Sequence, residues 1–343
     1  MSNTLAPIIQ QIKDLSLEQR NTLYRQLEQI KTIDDDELHS IISICESHSY
    51  QQKCVHCQSS KFKKHGRYKD RQRYKCKTCN RTFNELTGTA WHYIHDKDKF
   101  RQYISYLAEQ KTLLECTIGL KICMQTAFCW RHKLLRAFEI ADLKPLKNHI
   151  QADETSILES CKGNPIGVAK NQRAARKRGG KSKHGGFSLD QMTILAACDA
   201  DKNAVLRYVG NGGIKKASIY RALGSLIRKQ RVNKAIFVTD ANNSFLQFAR
   251  DKRMIHQIVP STAKSFKNAQ GFHLQSVNAI HSRLKRWLNK FNGVATKYIQ
   301  NYLNCFRLWD KFTNFKDRFI YFFRMSVADK SAFIRNQDVN PGY

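Results

Sequence analysis

Apolar positions recur at helical spacing over residues 6–31, through Ile8, Ile9, Ile12 and Leu15 and then Leu17, Leu23, Leu27 and Ile30. Ser16 followed by Gln19 reads as a capping box, so the pattern predicts two helices with a break near Asp14. The acidic run 34–37 and the polar stretch to Tyr50 read as a linker or a further short helix. Helical spacing returns over 96–138: a first helix through Phe100, Tyr103, Ile104 and Leu107, a second over 113–121 ending around Gly119, and a third over 124–138. Beyond Pro145 the period falls to two. Strands are expected at 149–158, 191–198, 204–209, 234–239 and 255–259, with helices at 215–228, 244–250, 275–291 and 295–308. Strand, strand, strand, helix, strand, helix, strand, helix is the order of a mixed α/β sheet, and residues 313–343 follow as a C-terminal tail.

Charge narrows the class of partner. The 343 residues hold 59 Lys+Arg against 28 Asp+Glu, a formal net charge of +31. Such an excess favours polyanions, because each phosphate neutralised releases condensed counterions. Residues 1–48 run the other way, with four Lys/Arg and eight Asp/Glu, so the acidic helical N-terminal segment is not expected on the nucleic-acid surface. No run of about eighteen apolar residues and no signal-peptide pattern occurs, which predicts a cytoplasmic protein, nucleoid-associated through DNA, with no membrane partner.

Eleven cysteines, an odd number in a long chain, do not read as a disulfide framework. Cys54-Val-His-Cys57 and Cys76-Lys-Thr-Cys79 form two knuckles eighteen residues apart, the spacing that gathers four thiolates on one structural Zn²⁺ and gives residues 50–90 as a zinc ribbon. Ten Lys/Arg fall between Lys61 and Arg81, opposed only by Asp70. Lys63, Lys64, Arg67, Arg71, Arg73 and Lys75 are the expected phosphate contacts, with Tyr68, Tyr74 and Phe83 as the ribbon's small core. Residues 96–145 read either as a DNA-binding helix-turn-helix, with Gln125, Thr126, Trp130, Arg131, His132 and Lys133 on its second helix and Gln125, Thr126 and Arg131 as DNA contacts, or as an ordinary helical hairpin. A loop at 170–186 carries seven Lys/Arg, no acid and four glycines. Arg176, Lys177, Arg178 and Lys181 there are expected to order on DNA, the alternative being a solvated loop.

The element order over 147–312 is that of an RNase H-like domain, and it brings Asp153, Asp240, Asn278 and Lys285 toward one sheet edge. Asp153 lies in the first strand and Asp240 at the end of the fourth. Asn278 and Lys285, seven residues apart, share a helix face. Two carboxylates and an amide oxygen suffice to hold two Mg²⁺ or Mn²⁺ ions, which suits phosphodiester chemistry. Glu154 competes as first ligand; strand alternation puts it on the face opposite Asp153, so the two do not converge without a bulge.

Several motifs carry a resemblance: Asp153-Glu154-Thr155, Glu159-Ser160 with Lys162-Gly163, Arg176-Lys-Arg-Gly-Gly180, Val238-Thr-Asp240, His273 through Trp287, and Phe291-Asn-Gly293 through Leu303. Over about residues 50–310 the chain resembles the zinc-ribbon insertion-sequence transposases with a DDE-type RNase H-like domain. The resemblance implies a metal-binding triad of Asp153, Asp240 and Asn278, with Lys285 on substrate phosphate. It also implies recognition of terminal inverted repeats in double-stranded DNA, cleavage and transfer of a 3′ end to target DNA, and a homodimer or larger synaptic assembly. Ala241 and Cys305 depart from the family pattern, and Ala241 is expected to alter the turn that aims Asp240. A transposase-derived DNA-binding regulator that no longer cuts, and an RNase H-fold nuclease that cuts without rejoining, are the alternative readings.

Overall fold

Long β-branched and apolar runs build the central sheet. The computed structural model describes residue 16 and residues 53–68, 71–139, 143–163, 188–227, 235–260 and 267–328, and the elements below belong to one compact unit beginning at Lys53. The expected N-terminal helices, the acidic run and the basic loop with Arg176, Lys177, Arg178 and Lys181 lie outside the described residues.

Three short strands come first, β1 (Phe62–Tyr68), β2 (Arg71–Cys76) and β3 (Thr82–Phe83), in one antiparallel sheet. Helices α1 (Lys97–Ala108), α2 (Leu113–Leu120) and α3 (Met124–Ala137) follow. The α/β part then runs β4 (His149–Leu158), β5 (Gln191–Asp199), β6 (Ala204–Asn211), α4 (Lys216–Leu223), β7 (Ile236–Thr239), α5 (Asn243–Lys252), β8 (Ile255–Ile258), α6 (Gln275–Asn289), α7 (Ile299–Lys311) and α8 (Phe315–Ala328). The element order matches the sequence expectation, with one addition: the segment read as a tail carries α8. Phe319, Phe322 and Phe323 of that helix are buried, Phe323 sits edge-on to Trp91, and Arg318 donates to the Ala108 carbonyl.

The sheet order is β6-β5-β4-β7-β8. β4 pairs antiparallel with β5, and β5 with β6, whereas β4 with β7 and β7 with β8 are parallel. A short hairpin joins β5 to β6, and the helix α5 makes the crossover from β7 to its parallel neighbour β8. Ile150 and Ala152 of β4 face a core with Leu195, Phe237, Ile219, Leu223, Phe245 and Phe248, so α4 and α5 cover that side. The opposite side, with Gln151 and Asp153, lies under α6, whose Ser276 and Val277 N–H groups donate to the Gln151 amide oxygen. Gln300 of α7 meets the edge strand, accepting from Tyr208 N–H and donating to the Leu206 carbonyl, which occupies backbone that an open edge would expose.

α2 is closed by a capping box between Thr112 and Glu115, and its turn into α3 passes through Lys121 at φ 50. The helical spacing puts Gly119 in that turn, but the residue lies inside α2 against Tyr106. A Cβ there would meet the Tyr106 hydroxyl at 2.5 Å, so the glycine lets the Tyr106 ring pack against the helix and serves no turn.

Candidate metal and nucleic-acid sites

The four cysteines of the knuckles converge. Cys54 Sγ lies 3.7 Å from Cys79 Sγ, and Cys57 Sγ lies 3.6 Å from Cys76 Sγ. A tetrahedral zinc with Zn–S of about 2.3 Å sets its sulfurs about 3.8 Å apart, so the donor set fits zinc. Backbone N–H groups of Thr78 and Cys79 donate to Cys76 Sγ. Chiefly through the Cys79 N–H, they hold that thiol below its ordinary value, while the crowded Cys57 and Cys54 thiols beside it are raised. The ribbon core beside the thiols is small: Phe62, Tyr74 and Phe83 pack ring on ring, while Tyr68, expected in it, is 64% exposed.

The expected DNA contacts divide into three groups. Lys63, Lys64 and Arg67 are exposed along β1, and Lys63 stands directly across from Lys75. Two like charges in that register repel unless an anion lies over them. Arg71, Arg73 and Lys75 are half-buried, and Arg71 is drawn into an ion pair with Glu85. On α3, Gln125 is exposed and Thr126 half-buried near the N-terminus, but Trp130, Arg131, His132 and Lys133 are all buried. Arg131, 1% exposed, donates to the Lys111 carbonyl at 2.5 Å and lies over the Phe291 ring. Its expected role in DNA contact is corrected: the guanidinium is used inside the protein, where it joins the helical region to the α/β part.

Asp153 and Asp240 meet because their strands are parallel neighbours. Gln151 pairs with Val238, so two residues on Asp153 stands beside Asp240, just past the end of β7. Glu154 joins them, and carboxylate oxygens of Asp153, Glu154 and Asp240 all lie within 4.8 Å of one another. This corrects the expectation that Glu154 needs a bulge. The β4–β5 register runs unbroken from Ile150 to Leu158, and alternation holds. The stop of β7 at Thr239 agrees with the strand expected over 234–239; what the sequence does not reveal is the parallel register that sets this end beside β4, where side chains from both faces reach Asp240.

Burial raises the Asp153 carboxyl to about 6 and the Glu154 carboxyl to about 7, and Asp240 beside them adds to both. Glu154 is 8% exposed; its Oε1 accepts from Asn242 Nδ2 at 3.1 Å, and its Oε2 has no hydrogen-bond partner among the described residues. Crowded, half-satisfied carboxylates of this kind fit a divalent cation, whose charge reverses the repulsion. The three could hold a metal ion.

Asn278 and Lys285 are both exposed on α6, on the face shared with His281. The Lys285 charge reaches Asp153 and opposes its upward shift. His281, which no sequence motif singles out, is 7% exposed, and its Nδ1 lies 3.8 Å from Asp153 Oδ2. Its place between Asn278 and Lys285 on the helix is the available signal. Ala241 is not among the described residues of positive φ, so the turn after Asp240 does not require glycine.

Two of the motifs shared with the resembling family prove to brace this site. Ser160 N–H donates to Thr296 Oγ1, Thr296 N–H donates to the Ser160 carbonyl, and Lys162 Nζ donates to the carbonyls of Asn292 and Gly293. The end of β4 and the exit of α6 are thereby fastened together.

No family model matches the chain. Over 257 residues it is 23% identical to an uncharacterized protein in transposable element ISH50 of Halobacterium salinarum, covering 74% of this chain and 84% of that relative. Among solved structures, a pre-cleavage Mos1 transpososome is similar at 10% identity with a TM-score of 0.23, and the Mos1 strand transfer complex at 11% with 0.22. Each alignment covers 68% of this chain and 79% of the other. At those TM-scores the likeness carries no argument about the fold. Among the described residues no helix is long and apolar enough to cross a membrane.

Proposed function

We propose that this chain is an insertion-sequence transposase that binds the terminal inverted repeats of its element, cuts DNA there and transfers the 3′ end to a target. The observation that carries this reading is the meeting of half-buried Asp153 and Asp240 across adjacent parallel strands, with both Asp153 and Glu154 raised in pKa. The transposable-element setting of the ISH50 relative and the net charge of +31 support it.

Asp153 and Asp240 are the principal metal ligands, with the Asn278 amide oxygen as a third. Two Mg²⁺ or Mn²⁺ ions, when bound, supply an activated water or 3′-hydroxyl and neutralise the leaving oxygen. Lys285 projects from the same helix face as Asn278 and binds the phosphate being cut. The ribbon, with Lys63, Lys64 and Arg67, and the N-terminal end of α3, with Gln125 and Thr126, hold the duplex. The basic loop 170–186 adds a second grip. Two ends must be joined in one event, so the working form is a homodimer or larger assembly.

The test gives the purified full chain DNA carrying the sequences that flank its gene, with Mg²⁺, and follows cutting and joining on sequencing gels. Expected are a nick at each element end and a joined product, both abolished in Asp153→Ala and Asp240→Ala. Binding without cutting supports the regulator, and cutting without joining the nuclease. Cleavage that survives Asp240→Ala sinks the site assignment.

A further inference from the structure

We infer that Asn242 is a positioning residue that holds Glu154 and Asp240 in place for the cation, and that Glu154 thereby acts as an additional metal-binding carboxylate. The inference rests on the metal-site reading above.

Besides accepting the first helical N–H bonds at its carbonyl, Asn242 makes three further contacts. Its backbone N–H donates to Asp240 Oδ1 at 3.1 Å, its Nδ2 donates to Glu154 Oε1 at 3.1 Å, and its Oδ1 accepts from Ser244 N–H at 2.9 Å as the N-cap of α5. The third contact determines the second. With the amide oxygen committed to the helix cap, the NH₂ group has to point the other way, toward Glu154. A cap held by a ten-residue helix is a rigid mount, and Phe245 and Phe248 anchor that helix in the core.

Glu154 needs such a mount. It comes from the α5 side of the sheet, is more than nine-tenths buried, and lies beside two other carboxylates that repel it. Its one hydrogen-bonded oxygen is held by Asn242, leaving Oε2 without a hydrogen-bond partner among the described residues, within a group whose donor oxygens lie 4.8 Å apart or less. An unpartnered buried carboxylate oxygen is costly unless something positive meets it. Asp, Ser and Asn cap helices about equally well. Of these, Asp has no donor and Ser has one short hydroxyl that the cap itself engages, whereas Asn caps through its oxygen and donates to Glu154 through a separate, longer-reaching NH₂, so the choice of residue is explained by the carboxylate and not by the helix.

The experiment titrates Mn²⁺ alone into the zinc-loaded full chain by calorimetry, comparing wild type with Asn242→Ser, Glu154→Gln, the double variant and Asp240→Ala, alongside thermal melting. Asn242→Ser keeps the cap, so the chain is expected to stay folded with at most a modest fall in melting temperature, while its Mn²⁺ affinity falls about ten- to a hundred-fold. Glu154→Gln is expected to fall by a similar factor, and the double variant no further, because both losses run through one hydrogen bond. Wild-type Mn²⁺ affinity in Asn242→Ser, with binding lost in Asp240→Ala, overturns the inference and leaves the site reading intact. Losses that multiply in the double variant overturn the coupling of Asn242 to Glu154. Unchanged binding in Asp240→Ala overturns the site reading and the inference with it.

Discussion

The buried guanidinium of Arg131 is held by the Lys111 carbonyl, the Cys116 sulfur and the Phe291 ring face, while its Nε has no hydrogen-bond partner among the described residues. Arg131→Ala is therefore expected to cost about 3 kcal/mol of stability, measured by urea unfolding, while the folded fraction binds DNA as before at equal salt. A loss of DNA affinity without a loss of stability would return Arg131 to the DNA surface. The acid cluster has its own signature. In the unfolded chain Asp153 and Glu154 titrate near their ordinary 3.8 and 4.5, but in the metal-free fold at about 6 and 7. Between those limits the unfolded chain binds fewer protons, so stability from these groups is full below about pH 4 and is lost as pH rises through 7. Thermal melting in Mg²⁺-free buffer from pH 4 to 8 is expected to show that decline. It should be shallower in Glu154→Gln than in wild type, and Mg²⁺ should relieve it in wild type. Equal slopes in the two proteins would mean that Glu154 does not titrate as placed.

At the scale of elements, the ribbon is expected to depend on metal far more than the sheet does. Its buried apolar cluster is Cys54, Cys76 and Phe83 with partly buried neighbours, too little to fold β1, β2 and β3 unaided. Cys76→Ser is expected to lose the bound zinc, seen by metal analysis, and to expose the amides of β1 and β2 to rapid hydrogen exchange. Those of β4 and β5, buried among Ile150, Leu195 and Phe237, stay protected. Protection in β1 and β2 without zinc would show that the ribbon folds on its aromatic cluster alone. The periodicities of α1, α2 and α6 are legible in the sequence because each buries one face along its length, whereas β4 and the second half of α3 are buried on more than one side. That of α8 is not legible, although Phe319, Phe322 and Phe323 pack it firmly, because its aromatics crowd the helix and blur the period.

For the whole molecule, the charge that first suggested a polyanionic partner is now partly placed. Lys63, Lys64 and Arg67 line an exposed strand, whereas Arg131 and Lys133 are inside. Replacing Lys63, Lys64 and Arg67 by Gln is expected to weaken DNA binding and reduce the slope of log affinity against log salt by up to about 3, one for each phosphate no longer neutralised. Fluorescence anisotropy across a salt series reads that slope, and an unchanged slope would move the DNA surface off β1.

What the sequence determined by itself was everything that repeats locally: the knuckle spacing, the helical and strand periods, and the order that makes Asp153 and Asp240 neighbours. Tertiary structure alone decided which side chains turn inward and which carboxylates share a site. Alternation along β4 separates Glu154 from Asp153 correctly, yet both reach Asp240, because the parallel register of β7 against β4 sets the end of β7 beside them. Where one strand stops against another is a matter of long-range register and packing, which no local period encodes.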